Sequence, residues 1–496
     1  MKAVVKFVMW PLAGVVLILA AVAAYVAATF DPNRYKPQIV QAVKDGTQRN
    51  LRLEGDIKLV LFPVIGAALG KASLSERGSD EEFAGVDAIH VALKLAPLLS
   101  KQVVVETVEV RNLRARLVRF RDGTTNIDDL TGGGRPATAA QVGEMPIKVD
   151  IEHVTIENAA ITYTDEAAGA TYALSNVYLE TGRIASGVPG RIDLSFTVHS
   201  DKPVMNLETV LKATVTFDLD EQSYELTGID FGARGLAAGI GNLVTTVKGD
   251  MGAKFASREF LISGLTVALS GKREGGDLNA KFDVPKLTVT NEHVSGEKLM
   301  LDATLSTGTG KLVAKLEIPG IDGNARAFKA GASTAGIDVQ QDGARIKARL
   351  TSPLAGSVEG QKLELPKLVA SVNVNNPGLL KNPLAVTINA SAQVDFARQN
   401  VSLAFTAKFD DSAINGKAGV TKFALPLYTF DIDIDQLDAD RYVAQPDPKQ
   451  KPEQPFDLAA LKDLRASGSL RIGVFKLSNV KATNARIDFK AAEPAR

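Results

Sequence analysis

Short segments in which apolar and polar residues alternate constrain this fold more than any other feature of the sequence. They recur from Leu51 almost to the end of the chain, for example at Leu194–Val198, Leu403–Ala407 and Phe430–Ile434. A period of two puts successive side chains on opposite faces of an extended strand. Because Gly, Asn, Asp and Pro bound these segments, they are typical of antiparallel strands with one apolar and one wet face. The sequence therefore predicts a mainly β protein with few short helices.

One variant of this alternation occurs three times. In VDIEHVTIENAAITY, residues 149–163, two apolar pairs are offset by one extra position and followed by an asparagine, and the same order precedes Asn112 and Asn484. The extra position indicates a β-bulge or a bend, because it moves every later side chain to the other face. Since asparagine tolerates a positive φ, we expect Asn112, Asn158 and Asn484 each to begin the tip of a two-residue hairpin.

The N-terminus contains an uncharged apolar stretch, residues 7–30, flanked by lysines before it and by charged residues after it. About 20 such residues cross a bilayer as a helix, and the stretch exceeds the apolar core of a cleaved signal peptide. We expect a retained single-pass anchor with a cytoplasmic tip, residues 1–6, and the bulk of the chain outside, which in a bacterium is the periplasm. The predicted anchor residues are Phe7, Trp10, Leu17, Ile18, Leu19, Tyr25 and Phe30.

Composition changes divide the rest of the chain. After the anchor, Pro32 can open a short helix with Tyr35, Ile39, Ala42 and Val43 on one face, a collar between anchor and sheet. The predicted regions are 31–130 (short helix plus strands), 131–146 (flexible linker), 147–443 (main sheet), 444–456 (proline-rich loop) and 457–496 (a C-terminal region, apparently cut short).

The sequence offers little chemistry. Lys plus Arg (57) equals Asp plus Glu (57), which gives no reason to expect nucleic acid, and there is no cysteine. The four histidines are scattered, and no catalytic motif is present. Asp431, Asp433 and Asp435 alternate on one strand, but Gln436 stands where a calcium loop needs glycine, so a metal site is rejected. We expect no enzyme activity, catalytic residue, metal or cofactor.

The main sheet region would supply about 25 strands, and open twisted sheets seldom exceed ten strands without curling or splitting. Its apolar face must therefore be covered. A second sheet would cover it in stacked β-sandwich domains, whereas acyl chains could cover it in a long curled antiparallel sheet that forms an open groove or gutter. The residues alone leave both architectures open. The candidate groove-lining residues are Val149, Ile151, Val154, Ile156, Ile161, Tyr163, Leu194, Phe196, Val198, Phe405, Phe430, Ile432 and Ile434.

Several motifs resemble one family. The apolar span followed by FDPNRYKPQIVQAV, LRLEGDIKLVLFPVIGAALGKASLSE and LKLAPLLSKQVVVETVEVRNLRARLVRFRDGTTNIDDL resembles the N-terminal region of AsmA family proteins of Gram-negative bacteria. The most specific pieces are Gly55-Asp56 ahead of Phe62-Pro63, the Pro97-Leu98-Leu99 step, and Asp122-Gly123 followed by Asn126. ITYTDEAAGATYALSNVYLETG resembles the family's middle region, and LDADRY with GSLRIGVFKLSNVKATNARIDF resembles the start of its C-terminal domain.

The resemblance implies an inner-membrane protein with a long periplasmic β-groove. It further implies transport of phospholipid, most simply glycerophospholipid, between inner and outer membrane, and a contribution to outer-membrane assembly and homeostasis. The partners implied are membrane lipids, the inner membrane and an outer-membrane or periplasmic protein. The alternative is a membrane-tethered scaffold for outer-membrane protein assembly that carries no lipid.

Overall fold

The computed structural model describes residues 31–60, 65–94, 104–130, 150–273, 275–377, 380, 382–423, 426–442, 465–477 and 480–490. The predicted anchor 7–30, the linker 131–146 and the proline-rich loop 444–456 lie outside these residues. Among the described residues, no helix is both long enough and apolar enough to cross a membrane. The chain divides into two compact units, residues 1–243 and 244–496, and each is described separately.

The first unit begins with helix and continues as strands. A 3-10 helix, Pro32–Tyr35, leads into the α-helix α1 (Lys36–Thr47). The strands are β1 (Leu51–Leu53), β2 (Ile57–Val60), β3 (Ile65–Leu69), β4 (Ala72–Ser75), β5 (Glu82–Val86), β6 (Ala88–Leu93), β7 (Val105–Arg111), β8 (Arg114–Arg119), β9 (Asp150–Asp165), β10 (Ala170–Thr181), β11 (Ile184–Ala185), β12 (Gly190–Asp201), β13 (Val204–Asp218) and β14 (Ser223–Ala237).

The division point falls within β15 (Ile240–Lys254), and the second unit continues with strands alone apart from one short 3-10 helix, Ala439–Arg441. Its further strands are β16 (Glu259–Arg273), β17 (Gly276–Val289), β18 (Val294–Gly296), β19 (Leu299–Ser306), β20 (Gly310–Ile318), β21 (Ile321–Gly323), β22 (Phe328–Gln341), β23 (Ala344–Ser357), β24 (Lys362–Asn375), β25 (Leu384–Asp395), β26 (Asn400–Phe409), β27 (Ser412–Thr421), β28 (Leu427–Asp438), β29 (Ala466–Leu477) and β30 (Val480–Phe489).

The prediction of a mainly β chain is confirmed, but the pairing is not antiparallel throughout. Strands β7 and β8 both run parallel to β9, and β28 runs parallel to β29. Parallel neighbours require a long crossover connection, unlike a hairpin. The two segments that composition marked as linker and proline-rich loop, 131–146 and 444–456, lie within these two connections. They therefore separate strands that pair in parallel.

The three hairpins predicted at asparagines are wrong. Asn112, Asn158 and Asn484 do have φ values of 51°, 54° and 54°. However, Asn158 lies inside the continuous strand β9 and Asn484 inside β30, and β7 and β8 on either side of Asn112 keep one register along β9. A single residue with positive φ is enough for a bulge, whereas the hairpin turn expected here needs positive φ at both central residues.

The first two copies of the repeated pattern share a geometry that the third lacks. On β7 the extra residue is Glu106, where the pairing with β6 shifts between Ala92 and Leu93. This confirms the predicted bulge for the copy before Asn112. In the third copy, Leu477 and Val480 instead lie opposite each other on the antiparallel strands β29 and β30, where the sequence suggested a single bulged strand.

A buried arginine joins the elements of the N-terminal region. The Arg49 side chain is fully buried and donates to both carboxylate oxygens of Asp129 at 2.8 Å. It also donates to the carbonyl oxygens of Ser75 (3.1 Å) and Asn126 (2.5 Å), and its guanidinium lies 4.5 Å from the centre of the Phe83 ring. One side chain therefore links the end of α1 to β4, β5 and the loop after β8.

In each unit, the described strands form no second sheet that could cover the apolar side chains. Among the described residues, the buried apolar side chains are mostly alanine and valine, with Phe83 the one aromatic, and the largest fully buried side chains, Arg49, Ser200 and Ser352, are polar. The core of a sandwich would bury large aliphatic and aromatic side chains from two facing sheets. The alternative of stacked sandwiches is therefore wrong for the described residues, and an extended sheet with one open apolar face describes each unit.

Candidate functional site

The second unit carries one unbroken row of apolar side chains across thirteen strands. It crosses every strand from β16 to β30 except the short β18 and β21, and each step is a direct cross-strand pair. Its members are Val267, Phe282, Leu301, Leu316, Ala335, Leu350, Ala370, Ile388, Ala407, Ile414, Ile434, Ile472 and Ala485. At about 4.8 Å per strand, this row is about 58 Å long.

The adjacent row, one residue along each strand, faces the other side of the sheet and is polar at eleven of thirteen positions. Its members are Thr266, Asp283, Met300, Glu317, Thr334, Thr351, Val369, Asn389, Thr406, Asn415, Asp433, Arg471 and Arg486. Successive residues of a strand point to opposite faces. The two faces of the second unit are therefore chemically distinct along the whole series of strands.

The first unit has an equivalent row across nine strands. Its members are Ile57, Leu69, Ile89, Val110, Ile156, Leu179, Leu194, Leu211 and Phe231, on β2, β3, β6, β7, β9, β10, β12, β13 and β14. The neighbouring row again faces the other way and includes Lys58, Glu109 and Asp193. Each unit therefore presents an apolar face that no polar side chain interrupts along its row.

The apolar rows are half-buried. Every member of the first-unit row is half-buried, and in the second unit only Ala407 and Ile472 are buried. Neighbours within the sheet shield the sides of these residues, and the described strands form no second sheet against them. A continuous, partly exposed apolar surface that crosses this many strands marks a binding surface in soluble proteins.

Three phenylalanines lie over glycines on the neighbouring strand. Phe328 pairs with Gly356, Phe405 with Gly416 and Phe430 with Gly468. A Cβ added to Gly416 would lie 2.6 Å from Cζ of Phe405, and one added to Gly468 would lie 2.8 Å from Cγ of Phe430. The glycines allow these rings to lie low across the sheet, because a side chain at either position would lift them. The ring of Phe430 also packs edge-on against Phe489 at 5.3 Å.

The structure brings most of the predicted lining residues onto these faces. Ile156 and Leu194 belong to the first-unit row and Ile434 to the second-unit row. Ile161 and Val198 lie on the same face of the first unit, where both pair with Leu174, and the ring of Tyr163 stacks on that of Tyr172 at 6.2 Å. The other predicted residues on these faces are Phe196, Phe405, Phe430 and Ile432. Val154 pairs with Thr181 and Ile151 with Ile184. All twelve are half-buried, and Val149 lies outside the described residues.

The sequence prediction missed the middle of the second-unit face. Leu316, Leu350 and Ile388 belong to the row, and Ile337 and Ile346 lie beside it with 49% and 41% of their surface exposed. Alanine and glycine occupy many of the alternate positions on β19 to β23, as in STAGIDV and ARIKARL, which weakens the hydrophobic contrast. The alternation of charged residues in these strands was the signal that could have revealed them.

The aspartates of β28 are held by neighbouring residues. Arg471 on β29 donates to Asp433 (2.5 and 3.1 Å) and to Asp431 (3.0 Å), and Ser469 donates to Asp431 at 2.6 Å. The hydrogen bonds from Arg471 hold the pKa of the Asp433 carboxyl below its usual value. Asp435 accepts from the backbone N–H of Ala413. Asp431 and Asp433 therefore join β28 to its parallel neighbour β29, and Asp435 joins β28 to β27. Within the described residues, no group of acidic or histidine side chains could hold a metal ion.

Comparison with known proteins gives one result. No curated protein and no solved structure matches the chain at a significant level. The sequence model of the AsmA family, in contrast, matches residues 1–453 of the 496. This match includes the whole of the first unit and both apolar rows as far as β28. The chain belongs to the AsmA family.

Proposed function

We propose that the apolar faces form a curled open groove that shields acyl chains, and that the protein contributes to phospholipid transport between inner and outer membrane. The observation that carries the proposal is the unbroken second-unit row, from Val267 to Ala485. Its length, about 58 Å, is several times the roughly 15 Å that one leaflet's hydrocarbon occupies. Several acyl chains could therefore lie along it in succession.

The physical basis is transfer of methylene groups out of water. Each buried CH₂ contributes about 0.8 kcal/mol, so a bound acyl chain and the half-buried side chains beneath it are both stabilised. An acyl chain that moves along the row meets no polar side chain of the row. The free energy of the acyl chain therefore stays nearly constant from strand to strand. The proposal requires no catalysis and no cofactor, since the groove only replaces water around the chains.

The proposed cellular setting rests on the apolar stretch 7–30 and on family membership. The anchor would hold the chain in the bacterial inner membrane with the bulk in the periplasm, next to the bilayer that supplies lipid. Glycerophospholipid is the proposed cargo, and the proposed role includes outer-membrane assembly and homeostasis.

Photo-crosslinking at neighbouring residues tests the proposal. Phe405 and Thr406 are consecutive on β26 but face opposite sides, with Phe405 on the apolar face and Thr406 on the polar one. Benzoylphenylalanine at position 405 keeps the native phenyl ring and adds a photoreactive benzoyl group at its para position. We expect it to capture phospholipid in cells, detected by mass spectrometry of the crosslinked protein, whereas benzoylphenylalanine at 406 should not. Equal capture at the two positions, or capture of protein alone at 405, would contradict the proposal.

A second candidate function, a membrane-tethered scaffold without lipid carriage, is favoured by one observation. Strand β30 pairs only with β29 among the described residues, and Val480 and Ile487 are 68% and 48% exposed. An open edge of this kind can accept a strand from another protein. This function predicts a crosslinked protein partner at β30 together with no copurifying lipid.

A further inference from the structure

The polar face of the second unit contains a pocket of about 460 Å³ over strands β20, β22, β23 and β24. Two rows of paired residues line it, and Ile337 and Ala348 lie between the two rows. Each row consists of successive cross-strand pairs. The first row is Lys315, Gly336, Arg349 and Ser371, and the second is Val313, Asp338, Lys347 and Asn373. These residues alternate with Leu316 and Leu350 of the apolar row, so the pocket and the proposed acyl face lie on opposite sides of the sheet.

Gly336 forms the floor of the pocket. A Cβ added there would meet only one atom within 4 Å, the carbonyl oxygen of Ala348 at 4.0 Å. Gly336 does not have a positive φ, so the backbone does not require glycine at this position. Its lack of a side chain instead leaves open space between Lys315 and Arg349.

The charges around this floor are unbalanced. Arg345 holds Asp338 through two hydrogen bonds, 2.9 and 2.6 Å, and Lys347 lies 3.8 Å from the same carboxylate. Lys315 is 2.9 Å from Asp302. Arg349 has no carboxylate within 4.0 Å in the described part of the chain. Four cationic side chains thus share two carboxylates, and one guanidinium is left to face the pocket.

We propose that this pocket binds a phosphate-type oxyanion. Arg349 supplies the planar fork that matches phosphate oxygens, Lys347 supplies a second positive charge, and Ser371 and Asn373 supply neutral donors. Asp338, the one carboxylate among the described residues that line the pocket, is already held by Arg345. The oxyanion could come from free phosphate or from the headgroup of a lipid surface, and both share this chemistry.

The test uses the full chain held in phosphatidylcholine nanodiscs at low ionic strength, because exposed charges are screened by salt. One arm titrates inorganic phosphate by calorimetry. The other measures capture of separate vesicles of phosphatidylglycerol in phosphatidylcholine. Saturable phosphate binding alone assigns free phosphate, and saturable vesicle capture assigns a lipid surface. Absence of both overturns the proposal.

Three variants make the test specific. R349Q should weaken oxyanion binding about tenfold, since one charge-assisted contact is lost. The substitution also removes repulsion between neighbouring cationic side chains, so the variant should fold. G336V should fill the pocket and abolish binding. K408Q, which removes an exposed lysine on β26 of the same face, should change the affinity less than about twofold. An equal loss in K408Q and R349Q would mean unspecific attraction to a charged face, which overturns the proposal. Circular dichroism of each variant confirms its β content.

Discussion

Removal of Asp129 should destabilise the N-terminal region far more than removal of any exposed carboxylate there. In D129N the shape of the side chain is kept, but one oxygen that accepts from Arg49 becomes an NH₂ donor facing a guanidinium donor. Arg49 is fully buried, and the Asp129 side chain is only 11% exposed. Leaving a buried charge without its partner costs about 3 to 5 kcal/mol. We expect the lower end, about 3 kcal/mol, because Arg49 keeps the carboxylate of Glu76, 3.6 Å away, and the carbonyl oxygens of Ser75 and Asn126.

Hydrogen exchange measured by mass spectrometry reports this change locally, without assuming that both units unfold together. In peptides that cover β4, β5 and β8, about 3 kcal/mol corresponds to a loss of protection of about 100-fold. The matched control is E81Q, which breaks the pair of Glu81 with Arg116, 71% and 54% exposed. Such a pair contributes less than about 1 kcal/mol. The double variant R49M/D129L, which removes both charges, should lose less protection than D129N.

The same pair predicts how acid affects this region. The hydrogen bond from Arg49 is the main reason that the pKa of Asp129 lies below its usual value. A depressed pKa in the folded state means that the stabilisation is present above the unfolded-state value, about 3.9, and is lost as the pH falls through the folded-state pKa. D129N should therefore flatten the acid dependence of protection. If D129N and E81Q lose similar protection, or keep the same acid dependence, the buried pair does not hold this region together.

Three further predictions concern single positions. G416V should lower the free energy of unfolding by about 1 to 3 kcal/mol, because the added Cβ would lie 2.6 Å from Phe405. G336V, where the added side chain has open space, should not lower it. Thermal unfolding compares the two variants, and an equal loss of stability would contradict the role of Gly416 under the ring. N484V should increase exchange in β30, since a β-branched residue at a φ of 54° costs about 1 to 2 kcal/mol, whereas N484G should change it little. Burial, and then the hydrogen bond to Asp410, raise the pKa of Tyr442 to about 12, so Y442F should remove the last step of a spectroscopic tyrosine titration.

The sequence predicted the alternating strands and the apolar character of one face because period-two alternation depends only on local geometry. It could not predict which strands are neighbours. Thus Phe405 and Phe430 were recognised as lining candidates, but the glycines beneath them, Gly416 and Gly468, were not, since a cross-strand pair joins residues that are distant in the chain. Arg49 was missed for a similar reason. A lone arginine after a helix has no local signal of burial, and its partner Asp129 lies 80 residues away.

The repeated pattern before Asn112 and Asn158 is explained by register. Residues of β7 and β8 pair with β9 at a constant separation of 46 positions, as in Val110 with Ile156 and Ala115 with Ile161. Asn112 and Asn158 are separated by the same number and are joined by a hydrogen bond of 2.7 Å. A bulge in one strand alone would turn its later apolar side chains away from those of its neighbour. In β7 and β9 the apolar side chains switch faces at paired positions. The apolar row therefore continues from β7 to β9 without a break. The repeat therefore preserves a continuous face, and loss of the positive φ in only one of the two strands should interrupt it.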